Sequence, residues 1–262
     1  MVAESGKIDP MHQFLIEPLF GRDWAIAGHS IAFTNSAAWM ALTFACVWLF
    51  MLGGMKRELV PGRWQVAVEG FTGFITNMMD ANIGPQGRKF VPYVFSLFMF
   101  ILFANMLGML PTALLGVSPF AVTSHLTITG VLAIASFLIV LGVGFWRHGF
   151  HFFSLFVPSG VNVFMAIFLF PIEIISFMMR PFSLALRLFV AMTAGHVLME
   201  VLASFVVSGA NTHSLVLTPL IVIPSFVLML GITLLELLVA AIQAYVFALL
   251  TSLYLNDAIN LH

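Results

Sequence analysis

From Leu215 to Leu255 the chain runs forty-one residues with a single formal charge, Glu236. A continuous helix of that length would extend about 60 Å, twice the ~30 Å of a bilayer's hydrocarbon core. The whole chain has 262 residues, 61% hydrophobic and only 8% charged, against roughly 25% charged in a soluble domain. So little charge cannot cover such a chain in water, which places it in a membrane. A net charge of −1 with no Lys/Arg-rich run argues against a nucleic-acid surface. The single cysteine, Cys46, excludes an internal disulfide framework and a CxxC metal or redox site. No metal and no cofactor is expected. Glu4 and Asp9 stand where a cleavable leader would be basic, so the first span is expected to do the targeting.

The chain reads as an all-α membrane protein forming a single membrane domain over residues 1–262. Residues 1–35 form an outer-side tail, and Ser36 to Met55 is the first span, ending at Lys56 and Arg57. Residues 62–82 differ in kind. Trp64, Ala67, Val68, Phe71, Phe74, Ile75, Met78 and Met79 recur at three- and four-residue steps, while Gln65, Glu69, Thr76, Asn77 and Asp80 fill the other side. That pattern predicts an amphipathic helix lying along the membrane surface. Residues 90–146 hold two spans, Phe90–Leu110 and Leu126–Trp146, joined by an uncharged loop. Residues 158–255 are expected to form a hairpin of two long, strongly tilted helices. Pro219 and Pro224 mark candidate breaks near its turn, with irregular or reversed backbone expected from Gly209 to Pro219 or on to Pro224. Lys56, Arg57, Arg63, Arg88, Lys89 and Arg147 fall on one side of alternating spans, and only Lys7 and Arg22 on the other. The positive-inside rule then predicts five crossings, an outer N-terminus and a cytoplasmic C-terminus.

Charges at membrane depth carry the chemistry. Glu173, Arg180, Arg187, Glu200 and Glu236 all lie in the last hundred residues. Each costs at least ~2.5 kcal/mol at a helix centre, so the five together cost on the order of 10 kcal/mol if all sit deep. Snorkelling to an interface is open to Arg180 and Glu200 but not to Arg187, in the middle of an apolar segment. At about 100° per residue, Glu173, Arg180 and Ser183 share the Arg187 side of the helix, and His196 with Glu200 lies opposite. Glu236 and Gln243, seven residues apart, share a face of the last helix. A guanidinium holds its charge at any physiological pH and passes no proton, whereas histidine and glutamate exchange protons. A fixed cation flanked by two proton-exchanging groups suggests two aqueous paths separated by a barrier.

At these residues the chain resembles a known family. Ser183-Leu184-Ala185-Leu186-Arg187-Leu188-Phe189 followed by Ala194-Gly195-His196, together with the run Leu235–Phe247, is similar to the signature segments of subunit a of F-type ATP synthases. Asn105-Met106-Leu107-Gly108-Met109-Leu110-Pro111 fits as well, and the likeness covers nearly the whole chain. One position departs: Ala191 stands where the family usually has asparagine. The pairing of His196 with Glu236 is like that of alphaproteobacterial and mitochondrial members. The resemblance implies a proton-channel stator in a bacterial inner membrane, with the mitochondrial inner membrane as the second option. It would not be an enzyme on its own. Its partners would be a ring of c subunits, the peripheral-stalk b subunits, the rest of the complex and the lipid bilayer. In that reading Arg187 holds the ring's carboxylate. His196, Glu236 and Glu200 line the outer path, Glu173 and Ser183 the cytoplasmic one, and Gln243 supports the arginine. A proton-coupled secondary transporter is the alternative, but such transporters carry repeats in both halves, and here all the deep charge lies in one.

The hairpin also has a register. Residues at one depth in an antiparallel pair have numbers of constant sum. Arg187 with Gln243 puts the midpoint at 215, and His196 with Glu236 puts it at 216. Both pairs are therefore expected in contact, directly or through one water.

Overall fold

A computed structural model describes residues 15, 18–20, 25–26, 29–30, 32–55, 62–110, 120–149, 152, 163–211 and 216–260. Lys7, Arg22, Lys56, Arg57, Pro111, residues 158–162 and residues 212–215, all used above, lie outside them. Six helices follow in order: α1 (Asn35–Gly54), α2 (Arg63–Asn82), α3 (Val91–Gly108), α4 (Leu126–His148), α5 (Val163–Ala210) and α6 (Leu217–Ile259). Before α1 the tail adds four short strands: β1 (Pro18–Phe20), β2 (Ala25–Ile26), β3 (His29–Ser30) and β4 (Phe33–Thr34). β1 pairs with β4 and β2 with β3, both antiparallel. Among the described residues five helical segments are long and apolar enough to cross a membrane, and α2 is not one of them. Those five match the expected spans.

At 48 and 43 residues, α5 and α6 would measure about 70 and 65 Å. The expected proline breaks do not occur. α5 carries Pro171 and Pro181 inside it, and α6 is continuous through Pro224. Pro219 is the third residue of α6, in the first turn, where backbone N–H groups have no partner to lose. The irregular connection is correspondingly shorter than expected, because Gly209 and residues 217–224 are helical.

The helices pack into two compact units. The first holds Met1–Ala45, Leu102–His125 and Phe189–Gln243; the second holds Cys46–Ile101, Leu126–Leu188 and Ala244–His262. In the second unit α2 is fastened by aromatic rings. Trp64 meets Phe50 at 5.3 Å, Phe71 and Phe74 meet Phe98 at 6.1 and 6.0 Å, and Phe74 meets Tyr245 at 5.4 Å. Val68, Ile75, Met78 and Met79 are buried as the periodicity requires. Gln65, expected on the polar side, is buried too, and its amide donates to Glu69 Oε1 at 2.8 Å. The C-terminal end of α6 buries Ala244, Phe247, Ala248, Thr251, Leu255 and Ala258, a stripe at three- and four-residue steps. Asn82 donates to Ser252 Oγ on that stripe at 2.7 Å.

Candidate functional site

Whether each charged residue of α5 is buried or exposed follows from its place on that helix. Phe177, Leu184, Leu188, Met192 and His196 are buried at spacings of seven and four residues, with Ala185 beside Leu184. His196 lies on this stripe, whereas Arg187, one residue before Leu188, is turned off it and exposed. On α6, Glu236 and Ala240 are one turn apart and both buried.

In the first unit these stripes bring a base and an acid together. His196 Nε2 lies 3.7 Å from Glu236 Oε1, with side-chain exposures of 6% and 2%. The separation suits an ion pair and is long for a hydrogen bond. Glycine makes the approach feasible: a Cβ on Gly195 would stand 2.6 Å from Glu236 Oε1. Gly108 of α3 instead lets Ala121 close in, for a Cβ there would stand 2.8 Å from Ala121 Cβ but an unstrained 3.7 Å from His196 Nε2. Two ionisable groups are thus held side by side among buried, largely apolar neighbours.

A polar clamp holds α3 against α6 beside this pair. Asn105 donates through Nδ2 to the Ala240 carbonyl at 3.1 Å and accepts from Thr123 Oγ1 at 2.7 Å. Asn105 and Thr123 are wholly buried, and Ala240 is one helical turn beyond Glu236. Thr193 Oγ1 donates to the Ser124 carbonyl at 3.4 Å, tying the same loop to α5 one turn before His196. His125, at the loop's end, stacks on Phe120 with ring centroids 4.7 Å apart, and burial holds its imidazole below the ordinary histidine range. Glu200 is half-buried one turn beyond His196, and Gln243 is half-buried on α6.

The second unit contains the remaining members. Arg187 is exposed within electrostatic reach of Tyr254. Ser183, one turn before it, is exposed, and Glu173 is half-buried. Arg180 is no bare snorkelling cation: it donates to Asp257 Oδ2 at 2.7 Å and lies over the rings of Phe177 and Tyr254 at 5.2 and 5.0 Å. His148 Nε2 lies 3.1 Å from the Ile259 carbonyl, tying the end of α4 to the end of α6. Gln243 falls in the first unit and Arg187 in the second.

Residues 36–256 match the family model described as ATP synthase A chain. The chain belongs to that family. It is 72% identical to ATP synthase subunit a of Rhizorhabdus wittichii across the full length of both chains. It is 56% identical to the subunit a of Zymomonas mobilis, again across both full lengths. Identity to the subunit a of Rhodospirillum rubrum is 44% over 97% of this chain and 99% of that one. Asp257, Tyr254 and Thr123 lie outside the segments that carry the resemblance. Asn105, Gly108 and Gly195 lie inside those segments, where the sequence alone assigns them no contact. The readable signal for Asp257 was an acidic residue just beyond the long apolar run.

Proposed function

We propose that this chain is the proton-conducting stator of a rotary ATP synthase, a multi-pass protein of a bacterial inner membrane. Working as one membrane domain, it takes protons from the outer side through His196, Glu236 and Glu200. It releases them to the cytoplasm past Glu173 and Ser183. Between the two paths Arg187, with Gln243 in support, meets the ionised carboxylate of each passing c subunit and prevents protons from crossing without rotation. The peripheral-stalk b subunits bind α1 and α2. The N-terminus faces out and the C-terminus faces the cytoplasm.

The single observation that carries this reading is the buried His196–Glu236 pair, 3.7 Å apart in a chain of the ATP synthase A chain family. Burying two ionisable groups costs free energy that a structural role could avoid with apolar side chains. Support for the arginine's role comes from its exposure. Met178, Met179 and Phe182, which precede it on α5 in the same unit, are also exposed. A permanent cation on an apolar surface suits a partner that brings a carboxylate at membrane depth.

The test is Glu236→Gln, which keeps the shape and removes the exchangeable proton. In the whole complex reconstituted into vesicles, proton-driven ATP synthesis is expected to fall at least about tenfold. ATP hydrolysis by the detached soluble head should be unchanged. Wild-type synthesis by the assembled variant would remove Glu236 from the path.

A further inference from the structure

A groove of about 730 Å³ opens in the second unit between the 3-10 segment Pro85–Phe90 and the C-terminal half of α4. The volume falls within the ~300–1,000 Å³ of ligand clefts. Phe90, Ile139, Gly142 and Val143 make its wall, and Gly142 keeps that wall low, since a Cβ there would meet nothing within 4 Å. Its lining is cationic, with Lys89 from the 3-10 segment and Arg147 from α4.

Among the described residues neither charge is spent on a carboxylate. Arg88, the neighbour of Lys89, is engaged by Asp80 at 3.1 Å, and among the described residues no acidic side chain pairs with Lys89 or Arg147. Arg147 gives one N–H to Gln86 Oε1, leaving four of its five donors. Trp146, on the same rim, is 94% exposed. Tryptophan collects at the level of lipid headgroups, and basic pockets between membrane helices on the positive side take anionic ones.

The dimensions favour one occupant. From Ile139 to Trp146 the slot follows α4 for about 10 Å, which stays inside one leaflet's ~15 Å of hydrocarbon. We propose that the groove binds an anionic glycerophospholipid, its phosphate held by Lys89 and Arg147 and one acyl chain lying along Ile139, Gly142 and Val143. This site is separate from the proton path and does not depend on its assignment.

The experiment uses the whole complex reconstituted in phosphatidylcholine vesicles doped with phosphatidylglycerol that carries a photoreactive diazirine on one acyl chain. After illumination, mass spectrometry of the digest is expected to find label between Ile139 and Arg147. Each cation near an anionic surface is worth about fivefold in occupancy, so Lys89→Gln with Arg147→Gln should reduce labelling on the order of 25-fold. Gly142→Phe, which leaves both cations in place, should abolish labelling by filling the slot, and it decides the matter if the double variant does not assemble. Equal labelling by a diazirine phosphatidylcholine would overturn the proposal. So would competition by inorganic phosphate, which would assign the cations to a free anion, or a cross-link from the groove to another subunit. Undiminished labelling in Gly142→Phe would do the same.

Discussion

Gly195→Ala separates the stability of the helix from the working of the site. The added Cβ would stand 2.6 Å from Glu236 Oε1 and 2.9 Å from Cδ, where ordinary contacts lie at about 3.5 Å or more. The carboxylate therefore retreats by about 1 Å. Because it is the far end of a flexible side chain, the retreat costs only an off-rotamer strain of about 0.5–1.5 kcal/mol. Alanine inside a helix recovers about 1 kcal/mol relative to glycine. The two nearly cancel, so the complex should assemble with unchanged thermal stability. Proton transfer is less forgiving, since a displacement of 1 Å can cost up to about 100-fold in rate. The assay is passive proton conduction by the membrane sector in vesicles, normalised to assembled complex, with proton-driven synthesis in parallel. Gly231→Ala on α6, where a Cβ meets nothing within 4 Å, carries the helix-propensity gain alone and should conduct normally. Full conduction by assembled Gly195→Ala would refute the claim that the carboxylate's position governs transfer.

Two further outcomes are expected. Asn105→Ala leaves the Thr123 hydroxyl without its acceptor and removes the donor to the Ala240 carbonyl, which should cost about 1–3 kcal/mol; thermal unfolding of the purified complex measures it, with the midpoint falling by several degrees. Asn260→Cys in a Cys46→Ser background should resist an impermeant thiol reagent in intact cells and react in inverted vesicles, and labelling from outside would reverse the assigned topology.

Much of this architecture was legible before any coordinates, for a physical reason. In a bilayer the backbone must satisfy itself, so a long apolar run admits little but a helix, and the number and order of the five long apolar helices followed. The His196–Glu236 contact was legible because two antiparallel rods fix a constant sum. The same rule sets Arg180 opposite Ser252, yet its partner is Asp257, five residues further along α6. Prolines 171 and 181 lie inside α5 and relax the straight-rod assumption at that end. Pro219 misled for a related reason, since a proline signals a break only beyond a helix's first turn. Thr123 was hidden because it reaches Asn105 across a loop whose path the sequence does not fix. Gly195 and Gly108 could not be valued until the atoms that would meet their absent side chains were known.

The account rests most heavily on a charge that cannot be lost, and Arg187→Lys tests that directly. Lysine keeps the cation and most of the reach, but an ammonium in an apolar setting can shed its proton and relay it. In vesicles containing assembled complex, proton-driven ATP synthesis by Arg187→Lys is predicted to be lost, as it should be in Arg187→Ala. Synthesis at the wild-type rate by the lysine variant would contradict the account, because it would show that a permanent charge at this position is not what couples proton flow to rotation.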